Sequence, residues 1–434
     1  MEGQYCIELF DAGTGRKQEE VKDKNVITNA YKTMFQEWYT RSAMSPNLFW
    51  HGSGGYIKAP INYSDGVFLF DEEISSNPDD FIIDRPRFAS AGSEYAGTDS
   101  SRGTLNVNET GEVANGYRWV WDFSTDKANG TIRALGLVPS ELGDMTTNFS
   151  YFNWATGTSD RNYEPYRYNG TTVHFSNNVV LRFHSSNSIY KWAPSVSGYQ
   201  TGHAVNNIAS CSLSGYDNVS SNAEGIGGYY YIIARDIALD QYHLIKINPA
   251  SMTIAGTYHL TTNTSAIHNW GFLTGTKIAM LKSYTSTITW QIYDIATGSY
   301  EADFSHSAFN RLGSSCTMRY LGNCSVVFSW YTGYGAWWSP SIIIPHDTLE
   351  PFFIENIQYA GTSSYSAYYN NNALVNMNGI PLHIMNNNCR SSSYSYGQLG
   401  HSIAGLFLFS RANLETPIVK TSSNTLKITY QLNW

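Results

Sequence analysis

The sequence predicts a mainly β protein: an N-terminal β-rich carrier module with one helix, followed by a β-propeller-like domain of five or six blades. Three observations lead there. The 434 residues include 32 Tyr, 20 Phe and 12 Trp, a 15% aromatic share set among Ser, Asn, Thr and Gly. That mixture suits short strands and turns and disfavours long helices. Paired apolar strands recur from residue 151 onward, and the last strand of the chain falls outside that recurrence.

Cys6, Ile7, Leu9 and Phe10 read as a first strand, closed by the turn Asp11-Ala-Gly-Thr-Gly15. Val26, Ala30, Met34 and Trp38 then recur four apart, with Ile27, Tyr31 and Phe35 beside them. This spacing predicts a helix with one broad apolar face, capped by Asn25, and that face is the candidate assembly surface. Pro46, Pro60, Pro78 and Pro86 keep residues 41–110 irregular. Tyr117, Trp119, Trp121 and Phe123 fall on one face of the next strand, and Asn129-Gly130 predicts a hairpin to Thr131–Leu137.

The repeat then begins. Its copies are Val179–Phe183 with Ser188–Trp192, Tyr230–Ala234 with His243–Ile247, and Lys277–Leu281 with Thr289–Tyr293. Ser325–Ser329 with Ser341–Ile344, and Ala373–Asn376 with Gly405–Phe409, complete the series. Residues just after each second strand, Ala193, Asn248, Asp294, Pro345 and Ser410, are 55, 46, 51 and 65 apart. A drifting period of about 50 with three or four strands per unit predicts a propeller over residues 151–414. A large β-sandwich is the alternative, since it also spaces short strands evenly. In residues 415–434, Leu426, Ile428, Tyr430 and Leu432 alternate on one side of a strand. Such a strand needs partners, and is expected beside Cys6–Phe10, joining residues 1–150 as part of the carrier.

Net charge is −8 with no Lys/Arg run, which disfavours a nucleic-acid partner. No run of 18 apolar residues predicts a membrane-spanning helix, and no basic, apolar leader follows Met1. The five cysteines form no CxxC pair, so free thiols from a reducing cytosol are expected.

Chemistry is sparse in the motifs. There is no HExxH, nucleophile elbow, P-loop or dinucleotide fingerprint, so no catalytic residue, cofactor or metal is expected. Asp236, Asp240, Asp294, Asp303 and Asp347 are the acids that a polysaccharide depolymerase would draw on, but Asp in inter-strand turns ordinarily serves its own backbone. His174 and His184 flank one strand, and His243 and His259 bracket another, without ligand spacing on a single element. Asp71-Glu-Glu73 and Asp79-Asp80 lack the glycine and periodicity of a calcium loop.

Aromatic loops carry the binding expectation. Tyr331, Tyr334, Trp337 and Trp338 sit in a Gly-punctuated stretch, Tyr365, Tyr368 and Tyr369 in a Ser/Asn-rich one, and Ser392–Gly397 adds two more tyrosines. Aromatic faces beside small polar groups are what sugar rings and protein loops dock against.

Ile7-Glu-Leu-Phe-Asp-Ala-Gly-Thr-Gly-Arg-Lys17, with Val21 and Asn25–Ala30, resembles the start of virion structural proteins of tailed bacteriophages of Gram-positive hosts. Lys420–Tyr430 resembles their end, and Asn129–Leu137 a recurrent strand in them. The resemblance implies a virion tail-fibre or baseplate component, homo-oligomeric, docked to other virion tail proteins and attaching to a host cell-surface glycan or protein. A tail hub, collar or head-decoration protein binding only virion proteins is the structural alternative.

Overall fold

The computed structural model describes residues 1–29, 31–32, 66–138, 148–154, 173–176, 179–184, 188–194, 205–217, 219, 223–261, 270–283, 288–311, 315–320, 322–330, 341–354, 373–377, 380–386, 397–402 and 408–434. In chain order its strands begin with β1 (Glu2–Asp11), β2 (Lys17–Ile27), β3 (Gly66–Phe70), β4 (Ala89–Ala91), β5 (Thr104–Leu105), β6 (Gly111–Val113), β7 (Gly116–Phe123) and β8 (Gly130–Val138). After β9 (Asn148–Trp154) come β10 (Val173–Ser176), β11 (Val179–His184), β12 (Ser188–Pro194) and β13 (Val205–Ser212), the first blade. The second blade is β14 (Tyr216–Asp217), β15 (Ala223–Ile226), β16 (Tyr229–Asp236), β17 (Gln241–Asn248) and β18 (Thr253–Leu260). The third is β19 (Trp270–Thr274), β20 (Lys277–Ser283), β21 (Thr289–Asp294) and β22 (Tyr300–Ser305). The fourth is β23 (Ser315–Tyr320), β24 (Cys324–Trp330), β25 (Ser341–Pro345) and β26 (Phe352–Ile354). The fifth is β27 (Ala373–Met377), β28 (Ile380–Asn386) and β29 (Gly397–Ser402), after which β30 (Ser410–Lys420) and β31 (Asn424–Asn433) return to the carrier.

The carrier sheet runs β4-β3-β8-β30-β2-β1-β31-β7-β5, with β6 on β7. β31 lies between β1 and β7, in register Cys6↔Thr429 and Ile428↔Trp121. Its alternation is complete: Leu426, Ile428, Tyr430 and Leu432 are buried while their neighbours are half-buried. The sheet bends where β2 meets β30 through only Val26↔Arg411 and Ile27↔Ser410. It nearly closes on itself through the parallel bridge Ser90↔Arg102. Inside lie Trp119, Trp121, Phe123, Phe68, Phe70 and Tyr430.

The remaining strands form a propeller. β10, β15, β19 and β23 stand side by side as the first strands of successive sheets, and β27 returns to β10. β9, the strand that leads into this region, completes the fifth sheet by pairing with β29 in register Leu399↔Phe152 and Ser402↔Asn148. The ring is thus fastened by strands from its two ends, which removes an open edge. Apolar layers fill the gaps between blades: Ile189 and Leu213 against Ile232 and Ile245, Tyr231 and Leu244 against Trp270 and Phe272, and Leu281 and Trp290 against Val327 and Ile342. First strands approach so closely that a Cβ on Gly271 would lie 2.3 Å from the Met318 carbonyl oxygen. Five separate antiparallel sheets, four of four strands and the second of five, exclude the sandwich alternative for this region.

Four local expectations need correction. Val26 and Ile27 belong to β2, so the helix begins later, at Asn29. Its cap is Thr28, whose Oγ1 accepts from the Tyr31 amide (3.3 Å) and whose carbonyl accepts from the Lys32 amide (3.1 Å). Asn25 instead sits in β2 and donates through Nδ2 to Ser410 Oγ (2.9 Å) and to the Tyr430 hydroxyl. Ala30, Met34 and Trp38 lie outside the described residues.

The Asn129-Gly130 turn does not make a hairpin. β7 has its edges taken by β31 and by β5 and β6, and β8 has its own taken by β3 and β30. The turn is a corner between the two halves of the carrier sheet. Lys420 Nζ holds it by donating to Ser124 O (2.8 Å) and Asn129 Oδ1 (3.0 Å). Finally, Ala373–Asn376 is the first strand of its blade, paired with β28. Leu408 and Phe409 pack in the carrier core, Phe409 stacking on Tyr31 at 4.3 Å; their apolar character reflects that core.

The alternation in β31 gives a clear test. Ile428→Ala should cost about 2–5 kcal/mol in chemical denaturation. Thr429→Ala, on the other face, should stay within about 0.5 kcal/mol of the native protein.

Candidate functional site

Where the propeller joins the carrier, the irregular segment between β3 and β4 meets the fourth blade. Arg85 makes a forked contact with Asp347, Nη2 to Oδ2 at 2.5 Å and Nη1 to Oδ1 at 3.4 Å, and donates again to the Asp84 carbonyl at 2.7 Å. The Arg85 guanidinium holds the Asp347 carboxyl below its ordinary range. Asn323 Nδ2 reaches the Ile82 carbonyl at 3.5 Å. Beneath these polar contacts Cys324, Val326 and Ile343 are part of the carrier's own core, with Phe352 packed against it. The joint is therefore apolar at its centre and charged at its rim.

Two buried charges stand behind it. Arg411, 1% exposed, donates through Nη1 to Ser75 O at 2.8 Å, and Asp84, 6% exposed, accepts from the Ser75 amide at 3.0 Å. Burial pushes the Asp84 carboxyl up and the Arg411 guanidinium down, while their mutual attraction opposes both shifts.

Ser325 and His346 form the one serine–histidine contact among the described residues, 3.0 Å from Oγ to Nε2. Ser325 is sealed from solvent, and its Oγ lies 2.8 Å from Phe272 O and 3.0 Å from Leu273 O. His346 stacks on Tyr320 at 5.0 Å, and burial lowers its pKa. This arrangement ties the third blade to the fourth.

The five acids that a depolymerase would draw on each have a partner, Asp347 through Arg85. Asp236 Oδ1 accepts from the Ala238 and Leu239 amides, Asp294 Oδ1 accepts from the Thr297 amide, Asp240 pairs with Arg235 at 3.0 Å, and Asp303 pairs with Lys282 at 2.5 Å. A cleft of about 290 Å³ in the carrier is lined by Phe10, Tyr95, Arg102, Lys127 and Lys427, among others. Its cations are committed too: Arg102 lies over Tyr95 at 4.2 Å, Lys127 donates to Gly97 O and Asp99 O, and Lys427 pairs with Glu109 at 2.6 Å.

The expected binding residues Tyr331, Tyr334, Trp337, Trp338, Tyr365, Tyr368 and Tyr369 lie outside the described residues. The strands flanking them are described. Register pairs Cys324↔Pro345 and Phe328↔Ser341 show that β24 and β25 run from the carrier joint to the opposite end of the fourth blade. Trp330 and Ser341 end there. β27 starts at the corresponding end of the fifth sheet, because its turn to β28 is at the other. In the second blade the equivalent turn is described, and Ile237 and Leu239 project from it, each 58% exposed. That turn is braced by hydrogen bonds: Asp236 caps it, and Arg235 Nε and Nη2 donate to Asp217 at 2.8 and 2.7 Å.

Sequence reasoning missed the joint, since Arg85 and Asp347 are 262 residues apart. It also missed that His243 and His259 are register partners on β17 and β18. The turn Asn248-Pro-Ala-Ser, which folds those strands together, was the available signal.

No family model and no curated protein matches the chain. Solved structures similar to it include the Dos1 propeller, at 8% identity over 79% of this chain and 83% of that one, with a TM-score of 0.27. The WD40 domain of Toxoplasma gondii coronin aligns at 10% identity over 86% and 87%, with a TM-score of 0.29. A luciferin-regenerating enzyme aligns at 10% identity over 57% and 81%, also with a TM-score of 0.29.

The Arg85–Asp347 pair predicts a pH signature. Asp347 has a depressed carboxyl pKa when folded, so its contribution is present above about pH 4, the unfolded carboxylate value, and is lost as pH falls through the folded one. Asp347→Asn should lower the thermal midpoint at pH 7. The gap from the native protein should shrink when both are melted at progressively lower pH below 4.

Proposed function

We propose that this chain is a non-enzymatic structural protein of a tailed-phage virion, a tail-fibre or baseplate component that presents its propeller for attachment to a host-surface glycan or protein. The observation that carries the reading is the joint: the fourth blade is fixed to the carrier at one end, and the strands flanking the Tyr331–Trp338 stretch end at the other. A carrier docked among other virion tail proteins would then hold the aromatic stretches outward.

The described turn at Ile237 and Leu239 supports the same polarity, because exposed aliphatics on a braced hairpin suit contact with a partner more than with water. Copies assembled symmetrically in a tail would multiply weak single contacts. The resemblance of the chain ends to virion proteins supplies the setting, and the geometry of the joint supplies the orientation.

Purified protein should bind host cells and compete with phage adsorption. Trp337→Ala with Trp338→Ala should abolish competition while leaving the melting midpoint unchanged. Ile237→Ser with Leu239→Ser should weaken it several-fold. Full competition by the tryptophan double variant would remove those residues from the receptor surface. A wild-type protein that binds only virion components would point to a hub or collar role.

A further inference from the structure

On the second blade, Tyr216, Asp236, His243 and His259 belong to four strands and to one face. Register pairs Tyr216↔Asp236, Ala234↔His243 and His243↔His259 put them there, since directly opposed residues, and residues two apart, share a side of a sheet. The two imidazoles are in ring contact. Their ring centroids are 5.7 Å apart with planes at 75°, and Tyr216 meets His243 edge-on at 6.3 Å.

His243 is 8% exposed, and neither of its ring nitrogens has a hydrogen-bond partner. A buried imidazole that touches no donor or acceptor is unusual, because buried polar groups are ordinarily satisfied. His259 is exposed. Asp236, two residues along β16 from the register partner of His243, lies on the same face and attracts the charged form of that imidazole; its Oδ1 already accepts the Ala238 and Leu239 amides.

We propose that His243 and His259 form a two-histidine clip for a divalent transition-metal ion of the zinc, copper or nickel class, with Asp236 adding negative charge beside it.

The geometry suits that ion class. Metal–nitrogen bonds of about 2.0–2.1 Å on a tetrahedral ion bring two imidazole centres to about 5 Å. The observed centroids are 5.7 Å apart and the rings meet edge to face, so binding requires the exposed His259 ring to turn until one of its nitrogens faces the same point as a nitrogen of His243. Imidazole donors select zinc, copper and nickel over magnesium or calcium, which prefer oxygen. No three His, Cys, Asp or Glu side chains are preassembled as a metal site among the described residues, so water would fill the remaining positions and affinity should be micromolar. An ion there would tie the outer strand β18 to β17.

The experiment is a zinc titration of chelator-stripped full-length protein by calorimetry, together with melting in the presence and absence of zinc. The native chain should bind zinc saturably and melt higher with it. His259→Ala should lose one equivalent and the thermal shift, and Asp236→Asn should weaken that equivalent several-fold. His259→Gln, which keeps the side chain's bulk, should behave as the alanine variant does. Copper loaded at one equivalent should show nitrogen ligation in its electron paramagnetic resonance spectrum that His259→Gln alters. Unchanged stoichiometry and affinity in both His259 variants, or zinc that leaves the native melting midpoint where it was, would overturn the clip, and the zinc bound would then belong to other histidines.

Discussion

The structure depends on one strand being shared between two others. β31 donates and accepts along both edges, to β1 on one side and β7 on the other, and its buried residues close the carrier core over Trp121 and Phe123. Without it β1 and β7 would each expose an edge, and neither half of the sheet would cover the aromatic interior. Because β30 precedes β31 and pairs with β8, the two strands together connect both halves of the carrier sheet. The hydroxyl of buried Tyr430 ties β31 to the start of β30 by donating to Ser410 Oγ at 2.5 Å.

Upon that frame the propeller is held by side chains it lends to another domain's core. Cys324, Val326 and Ile343 are buried among carrier residues, so the carrier and the fourth blade share one apolar interior. Charge then fixes the angle: Arg85 is forked onto Asp347, with Arg411 and Asp84 buried behind. The Asp347 side chain is largely exposed, so the fork is a rim contact; Arg411 and Asp84 are buried charges, and removing either would leave the other with less compensation, which makes those two positions more constraining than surface ion pairs such as Lys277–Glu301.

The legible parts of the fold were those written in local periodicity. Alternation in Leu426–Leu432, paired apolar runs at steady spacing and turn residues such as Asn248 and Asp294 all reflect the chain's immediate neighbourhood. Partnership across long separations was not legible. The Asn129-Gly130 dipeptide marked a real turn, but whether β7 and β8 pair is decided by β31 and β3, which are far away in sequence. The four-residue spacing from Val26 is equally consistent with a strand end followed by a capped helix, and only the pairing of Val26 with Arg411 decides between them. Leu408 and Phe409 looked like another blade strand because burial against the carrier demands the same residues as burial within a blade. Of the candidate site, the aromatic stretches were visible as composition, whereas the joint, built from single residues in distant segments, left no local trace.

The pairing of β9 with β29 has a consequence for biosynthesis. During translation the Asn148–Trp154 segment leaves the ribosome long before Gly397–Ser402 exists, so it must wait with an unsatisfied edge while four blades assemble. The carrier waits longer still, until β30 and β31 are made. Completion of the carrier is thus deferred until β30 and β31 follow the fifth blade, and a shorter polypeptide would display two hungry sheet margins, one in each domain, as handles for chaperones or for a neighbouring nascent chain.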